Sequence, residues 1–345
     1  MTKVYVGMSG GVDSSLTAAL LVEQGYDVTG VYMKNWTQDL PGMRCPWAED
    51  LADAKRVAVQ LGIDLKVFDF ENEYRERVVQ YMIDEYRLGR TPNPDIMCNQ
   101  EVKFRLFLDT ALAEGADMIA TGHYARVADG RLLQAVDSNK DQTYFLYRVS
   151  GEALTKTLFP LGEYTKPKVR EMAEARGLYT AGKKDSQGIC FVGKIGIREF
   201  LSQYVEQTPG DIIDKQSGKV LGRHDGAIFY TLGQRHGLEI GGGLPYYVVG
   251  KNMDKNEVYV STNLSDESIW RRELPLRSAH WINDAPAAGS YQVRIRHRAP
   301  LVAAELVYEN DATRLVLVEP QRAATPGQSV AIYDGDVCLG GGVIS

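Results

Sequence analysis

Ser9-Gly10-Gly11-Val12-Asp13-Ser14-Ser15 constrains this chain more than any other stretch. It follows Lys3–Met8, a short apolar run that reads as a buried strand. It opens Asp13–Gln24, whose apolar spacing reads as a helix. Glycines at such a junction permit positive φ and close approach of backbone to a ligand. Unpaired amides at the helix start, with serine hydroxyls beside them, make a site for an anion. No Lys-Ser or Lys-Thr follows, so this is not the loop that cradles a transferred γ-phosphate, and the spacing is not Gly-x-Gly-x-x-Gly. The bland alternative is a glycine turn serving only strand-to-helix packing.

The alternation continues. Asp27–Met33 reads as a second strand, Ala48–Leu61 as an amphipathic helix ending at Gly62, and Asp64–Phe68 as a third strand. Glu71–Leu88 and Gln100–Glu114 read as helices, and Asp117–Ala120 as a strand opening onto Thr121-Gly122-His123. This order predicts an α/β fold, a doubly wound parallel sheet, with ligands beyond the carboxyl ends of its strands. Gly7–Ser15, Met33 and Thr121–His123 fall there. Lys166–Arg176 and Ile197–Tyr204 look helical. After Thr208-Pro209-Gly210, short strands (Gly218–Gly222, Ala227–Thr231, Tyr246–Lys251, Glu257–Val260) predict a small β-rich central domain. From 278, Tyr291–Arg296, Leu301–Tyr308, Thr313–Val318, Ser329–Tyr333 and Val337–Val343 predict a C-terminal β-barrel. The expected domains are 1–207, 208–275 and 276–345.

A net charge of −6 over 345 residues argues against a protein that coats nucleic acid through bulk charge. A local basic face remains open, since residues 160–235 carry +3 against −6 for residues 1–159. Arg294, Arg296 and Arg298 alternate, so on one strand they would share a face suited to phosphates, or else a solvated barrel face. No run approaches the roughly 18 apolar residues of a membrane span. The N-terminus lacks a basic region and signal core, so the expected address is the cytoplasm, with no membrane partner.

Four cysteines, Cys45, Cys98, Cys190 and Cys338, are widely spaced with no Cys-x-x-Cys pair, which excludes the usual zinc and secreted-disulfide patterns. Cys98 follows two prolines in Thr91-Pro92-Asn93-Pro94-Asp95-Ile96-Met97-Cys98-Asn99, so an ordered loop or strand end is expected there rather than a helix interior. Cys190 follows Lys183 and Lys184, which favour a thiolate, and Gly188, which favours flexibility. Cys45, beside a proline, and Cys338, in an apolar strand, read as ordinary small hydrophobes.

The loop resembles that of the PP-loop ATP pyrophosphatases. GMSGGVDSS, NPDIMCN, ATGHYAR, KDQTYFL, KDSQGICFVG and YTLGQRHGL occur in one order across residues 7–238. Together they resemble the tRNA-specific 2-thiouridylase (MnmA/TrmU) family, and Pro326-Gly327-Gln328 in the predicted barrel extends the likeness to nearly the whole chain. The resemblance implies ATP bound over Gly7, Met8, Ser9, Gly10, Gly11, Val12, Asp13 and Ser14, with Met33 and Gly122, and magnesium (Mg2+) on Asp13. It implies a persulfide on Cys190, Cys98 as nucleophile and Asp95 as acid/base residue, although Asp95 also suits a turn. It points to tRNA at Asn93, Pro94, Asp95, His123, Lys140, Asp141, Gln142, Arg296, His297 and Gln328. His123 equally suits a satisfied core position. The implied partners are tRNA and a sulfur-carrier protein or cysteine desulfurase, with the enzyme acting as a monomer. A mobile Cys190 loop is expected, leaving Cys98 and Cys190 apart before tRNA binds. Gly241–Gly243 and the Gly233-Gln234-Arg235 turn receive no chemical role. Two alternatives stand beside this reading: a PP-loop enzyme with a nitrogen nucleophile, which needs no cysteine pair, and a non-catalytic tRNA-binding protein.

Overall fold

Val4, Tyr5, Val6 and Gly7 are buried in succession, the mark of a strand covered on both faces. The computed structural model describes all residues except 40–44, 186–195, 242–243, 264–268 and 311. In it Lys3–Gly7 (β1) turns through the glycine loop into Val12–Glu23 (α1). Asp27–Lys34 (β2), Trp47–Leu61 (α2), Asp64–Asp69 (β3) and Met118–Ala120 (β4) follow. Arg126–Ala128 (β5) and Arg131–Leu133 (β6) make a hairpin, and Thr157–Leu158 (β7) comes last. Five of these form a parallel sheet of order β3-β2-β1-β4-β7. Alternation sends Val4 and Val6 into a cluster with Ala18, Leu21 and Val57, and Tyr5 into another with Val31 and Phe107. The expected doubly wound α/β sheet is present.

The stretch expected as a proline-bound loop is helical. Residues 94–113 form one continuous helical run, so Cys98 lies within a helix. Pro94 takes the first helical position, where its missing N–H would have had no partner. The Asn93 side chain caps the turn by accepting from the Asp95 N–H at 3.1 Å. Cys98–Leu106 is π-wound, as is Arg75–Val79 in the preceding helical run. Such wide turns recur at functional sites.

In the central region Gly210–Asp214 (β8), Val220–His224 (β9), Tyr247–Asn252 (β10) and Glu257–Ser261 (β11) form a sheet of order β10-β11-β8-β9. It closes over Ile212, Tyr230, Val248, Val258 and Val260. The expected strand Ala227–Thr231 is instead a 3-10 turn, Ala227–Phe229, entered through Gly226 at φ +149°. Its first amide donates to the Asn256 side chain.

The C-terminal strands are Trp270–Trp281 (β12), Gly289–Arg294 (β13), Val302–Glu309 (β14), Ala312–Arg322 (β15), Ser329–Asp334 (β16) and Val337–Ile344 (β17). They run β12-β15-β14-β13-β16-β17, and pairing of β12 with β17 closes the barrel. Leu274, Leu306, Leu315, Leu317, Val330 and Ile332 fill it. The hairpin then extends this sheet: β6 pairs with β17, Leu132 opposite Cys338 and Leu133 opposite Val337. The N-terminal domain and the barrel therefore share hydrogen-bonded strands.

Candidate active site

Gly10 has φ +71°, and a Cβ there would overlap the Asp50 backbone carbonyl, so two independent constraints demand glycine. Gly11 holds the N-cap position of α1 with no side chain capping the first turn. The loop is braced from within. Ser14 and Ser15 hydroxyls donate to the Gly11 carbonyl at 3.1 and 2.8 Å, and the Ser9 N–H donates to Ser14 Oγ. A Cβ at Gly7 would meet Met33 Cε at 3.0 Å, and one at Gly122 would lie 2.9 Å from the Ser14 nitrogen. Gly7–Ser14, Met33 and Gly122 thus converge at the carboxyl ends of β1, β2 and β4. An open helix start in this place offers amides and a positive dipole end to phosphates.

Beside the loop lies a ladder of charges that sequence reading missed. Asp13 accepts from Lys166 Nζ at 2.7 and 2.8 Å and from the Tyr124 hydroxyl at 2.9 Å. Lys166, only 8% exposed, also pairs with Asp185 at 2.9 Å. Asp185 takes Lys140 at 2.7 Å and Arg170 at 2.6 Å as well. Burial pushes the Asp185 carboxyl up, but hydrogen bonds from Lys140 and Lys166 outweigh it and bring it down to about 2. Lys166 begins the helix Lys166–Ala175, where a cation opposes the helix dipole. That misplaced charge was the available signal that acids must hold it. Lys183, expected to favour a thiolate at Cys190, pairs instead with Asp50 and Asp53 of α2, both at 2.7 Å.

Cys98 is 2% exposed, in the second turn of the helix capped by Asn93. Burial raises the Asp95 carboxyl, with the Lys103 charge opposing. Further along the run, Phe107 packs at Gly7 and Phe104 lies 5.5 Å from the His123 ring. His123 is buried, hydrogen-bonded to Thr121 at 2.7 Å, and burial drives its pKa well down. The imidazole is thus a neutral core group. Cys190 lies outside the described residues, as do Gly242 and Gly243. Burial raises the thiols of Cys45 and Cys338, the latter to about 12, as expected of ordinary small hydrophobes.

The expected tRNA contacts are distributed unevenly. Lys140 is held by Asp185, and Gln142 accepts from the Tyr124 N–H at 2.8 Å. Asp141 is buried, accepting from Arg294 at 2.7 Å, Thr143 at 2.7 Å and the Ala135 N–H at 3.0 Å. This segment joins the N-terminal domain to the barrel, with Tyr144 and Tyr147 bonded to Ser329. Asn99 donates to the Phe145 carbonyl, and the Phe145 ring lies 4.5 Å from that of His297. The arginine stripe is absent as drawn from sequence. β13 ends at buried Arg294, and Arg298 has φ +63°. Arg296 remains exposed, bonded to Gln328 at 3.4 Å.

A parallel sheet whose first strand turns through a braced glycine loop into an uncapped helix, with partners from the neighbouring strand ends, defines a PP-loop nucleotide-binding domain. Family models match along nearly the whole chain: a tRNA methyl transferase HUP domain over residues 2–194, a tRNA methyl transferase PRC-barrel domain over 198–262, and an aminomethyltransferase beta-barrel domain over 271–344. The tRNA-specific 2-thiouridylase MnmA of Bacillus cytotoxicus is 50% identical over 99% of this chain and 94% of its own length. That of Bacillus thuringiensis is 49% identical with the same coverage. Among solved structures, a 4-thiouridine synthetase–RNA complex with bound ATP is 20% identical at TM-score 0.40, covering 59% of this chain and 50% of that one. The chain belongs to the tRNA-specific 2-thiouridylase family.

Proposed function

We propose that this enzyme uses ATP to replace the C2 oxygen of the wobble uridine of tRNA with sulfur. The observation that carries the reading is the convergence of Gly7–Ser14, Met33 and Gly122 on one anion site, beside a helix that bears Asp95 and Cys98. The glycine loop suits a pyrophosphate leaving group, for which methyl transfer has no use. This favours the relatives' thiouridylase name over the methyl-transferase wording of the family models.

In the first step the uridine O2 attacks the α-phosphorus of ATP, pyrophosphate leaves onto the α1 amides, and the base is adenylated. Asp13 is the residue that would hold magnesium, which would offset charge on the departing pyrophosphate, but both its carboxylate oxygens accept from Lys166 Nζ, so that ammonium would have to shift for the metal to bind. Among the described residues no group of three His, Cys, Asp or Glu could hold a metal without substrate. Lys166, already against Asp13, supplies a cation next to the phosphates.

In the second step the outer sulfur of a Cys190 persulfide attacks C2. The Cys98 thiolate attacks the inner sulfur, the S–S bond breaks, and AMP departs as the Cys98–Cys190 disulfide forms. A second thiol is needed because the outer sulfur is delivered only when the S–S bond is resolved. A two-electron reductant resets the pair. Asp95, its carboxyl raised by burial, moves the proton.

Single-turnover reaction of unmodified tRNA with ATP, magnesium and a persulfide donor tests the scheme. Wild type, Cys98→Ser and Cys190→Ser are scored for pyrophosphate and 2-thiouridine. The expected result is pyrophosphate from all three and thiouridine from wild type alone. Normal thiolation by the serine variants would remove the cysteines from the chemistry. Absence of tRNA-dependent pyrophosphate release in wild type would overturn the reading.

A further inference from the structure

A divalent cation that arrives with ATP is held by one or two carboxylates together with the phosphates. The carboxylate in place for it, Asp13, is partly open to solvent but has both oxygens engaged by Lys166 Nζ, at 2.7 and 2.8 Å. Lys166 is almost wholly buried, and an ammonium so placed is costly without an anion beside it. Among the described residues it forms ion pairs with Asp13 and Asp185 and with no other carboxylate. Asp185 Oδ1 already lies 2.9 Å from Lys166 Nζ. Its own place does not depend on that contact. Arg170, one turn after Lys166 on the same helix, donates to Asp185 Oδ1 at 2.6 Å. The same guanidinium donates to the Ala181 and Lys183 carbonyls at 2.9 and 3.1 Å, and Lys140 holds Asp185 Oδ2 at 2.7 Å. The Lys166 backbone is pinned as well, its N–H donating to Asp137 at 2.8 Å, so only the side chain has to turn. Asp13 keeps the Tyr124 hydroxyl on Oδ1 at 2.9 Å when the ammonium leaves.

Resting on the ATP-dependent reading above, we infer that Asp185 is a positioning residue that takes over Lys166 when a divalent cation with ATP takes Asp13. The ammonium passes from a hold shared by two carboxylates to Asp185 alone, through the turn of one side chain. It remains beside the glycine loop with its counter-charge, where it faces the phosphates. A neutral residue at 185 would leave Lys166 no carboxylate but Asp13. The metal could then bind only by stranding a buried ammonium, the costly half of breaking a buried pair.

The test measures affinity of the full chain for α,β-methylene ATP, which cannot release pyrophosphate, by calorimetry with and without manganese(II). The ratio of the two affinities is the gain from the metal. Wild type is compared with Asp185→Asn, Lys166→Gln and the double variant. Asp185→Ala runs beside Asp185→Asn, so that a fold lost to one neutral side chain is read from the other. Asp185→Asn should lower the gain about tenfold, a coupling typical of neighbouring charged groups. With Lys166→Gln no ammonium competes, so the same change there should cost about threefold or less, the direct pull of one nearby charge. Asp185→Glu keeps the carboxylate and should recover most of the gain. Equal losses with and without Lys166 would reduce Asp185 to a background charge and overturn the inference. So would a wild-type gain in folded Asp185→Asn, or the absence of any gain in wild type. If wild type fails to bind the analogue at all, the nucleotide reading falls instead, and the two failures are distinguishable.

Discussion

Arg294→Leu isolates a buried contact that ties the nucleotide-binding domain to the barrel. Asp141 is 2% exposed, and its carboxylate accepts from Arg294, Thr143 and the Ala135 amide. Removing the guanidinium leaves a buried negative charge with two neutral donors. Losing one partner of a buried pair costs about 3–5 kcal/mol, and the surviving donors place this case near 3 kcal/mol. Arg294 also covers the Tyr333 ring at 5.4 Å, a face that leucine fills in part. Pairing the change with Asp141→Asn removes the stranded charge, so the double variant should be more stable than the sum of the single losses predicts, by about 1–2 kcal/mol. Urea unfolding followed by tryptophan fluorescence reads both sides, since Trp36 and Trp47 lie in the N-terminal domain and Trp270 and Trp281 in the barrel. A loss below about 1 kcal/mol for Arg294→Leu, the range of exposed pairs, would refute the reasoning, as would strict additivity in the cycle.

Gly10→Ala should abolish nucleotide binding, because positive φ and the Asp50 carbonyl both exclude a Cβ; retention of ATP affinity by calorimetry would contradict this. Lys166→Ala should lower kcat for pyrophosphate release about 100-fold with a smaller change in KM, as expected for a charge acting on the departing phosphates, and a raised KM at unchanged kcat would assign it to binding instead. Because burial raises Asp95, the folded state holds its proton more tightly than the unfolded chain. Its contribution to stability is therefore present at low pH and is lost as pH rises from the unfolded pKa through the folded one. Asp95→Asn should flatten that acid-side slope, and parallel pH–stability curves for variant and wild type would disprove the assignment. Asn93→Ala should cost about 1 kcal/mol through loss of the cap, measured by thermal unfolding.

The parallel sheet was legible because strands covered on both faces must be apolar along their length, and the glycine loop because its backbone admits little else. β12 escaped notice. Its Trp-Arg-Arg-Glu-Leu-Pro-Leu-Arg run buries only Leu274 and Leu276 within that stretch, and Pro275 argues against a strand. The proline is tolerated near the point where β12 exchanges β15 for β17 as partner. The Cys98 helix was misjudged because Pro94 was weighed as a breaker, when at the first helical position it is a starter. Alternation carried the arginine stripe past the real end of β13. Asp13 and Lys166 stand 153 residues apart, so no local pattern announces their contact.

Strand β6, laid along β17, has a consequence for the order of assembly. On the ribosome residues 131–133 emerge some two hundred residues before the strand that completes their hydrogen bonding. Until Val337–Ile344 arrives, the hairpin edge stays open, and Leu132, Tyr144 and Tyr147 lack the barrel surface that covers them. The nucleotide-binding domain therefore cannot finish folding during synthesis. A fragment ending near residue 207 would present that edge permanently and should associate with itself. A shortened chain would lose its solubility before the question of its catalysis arises.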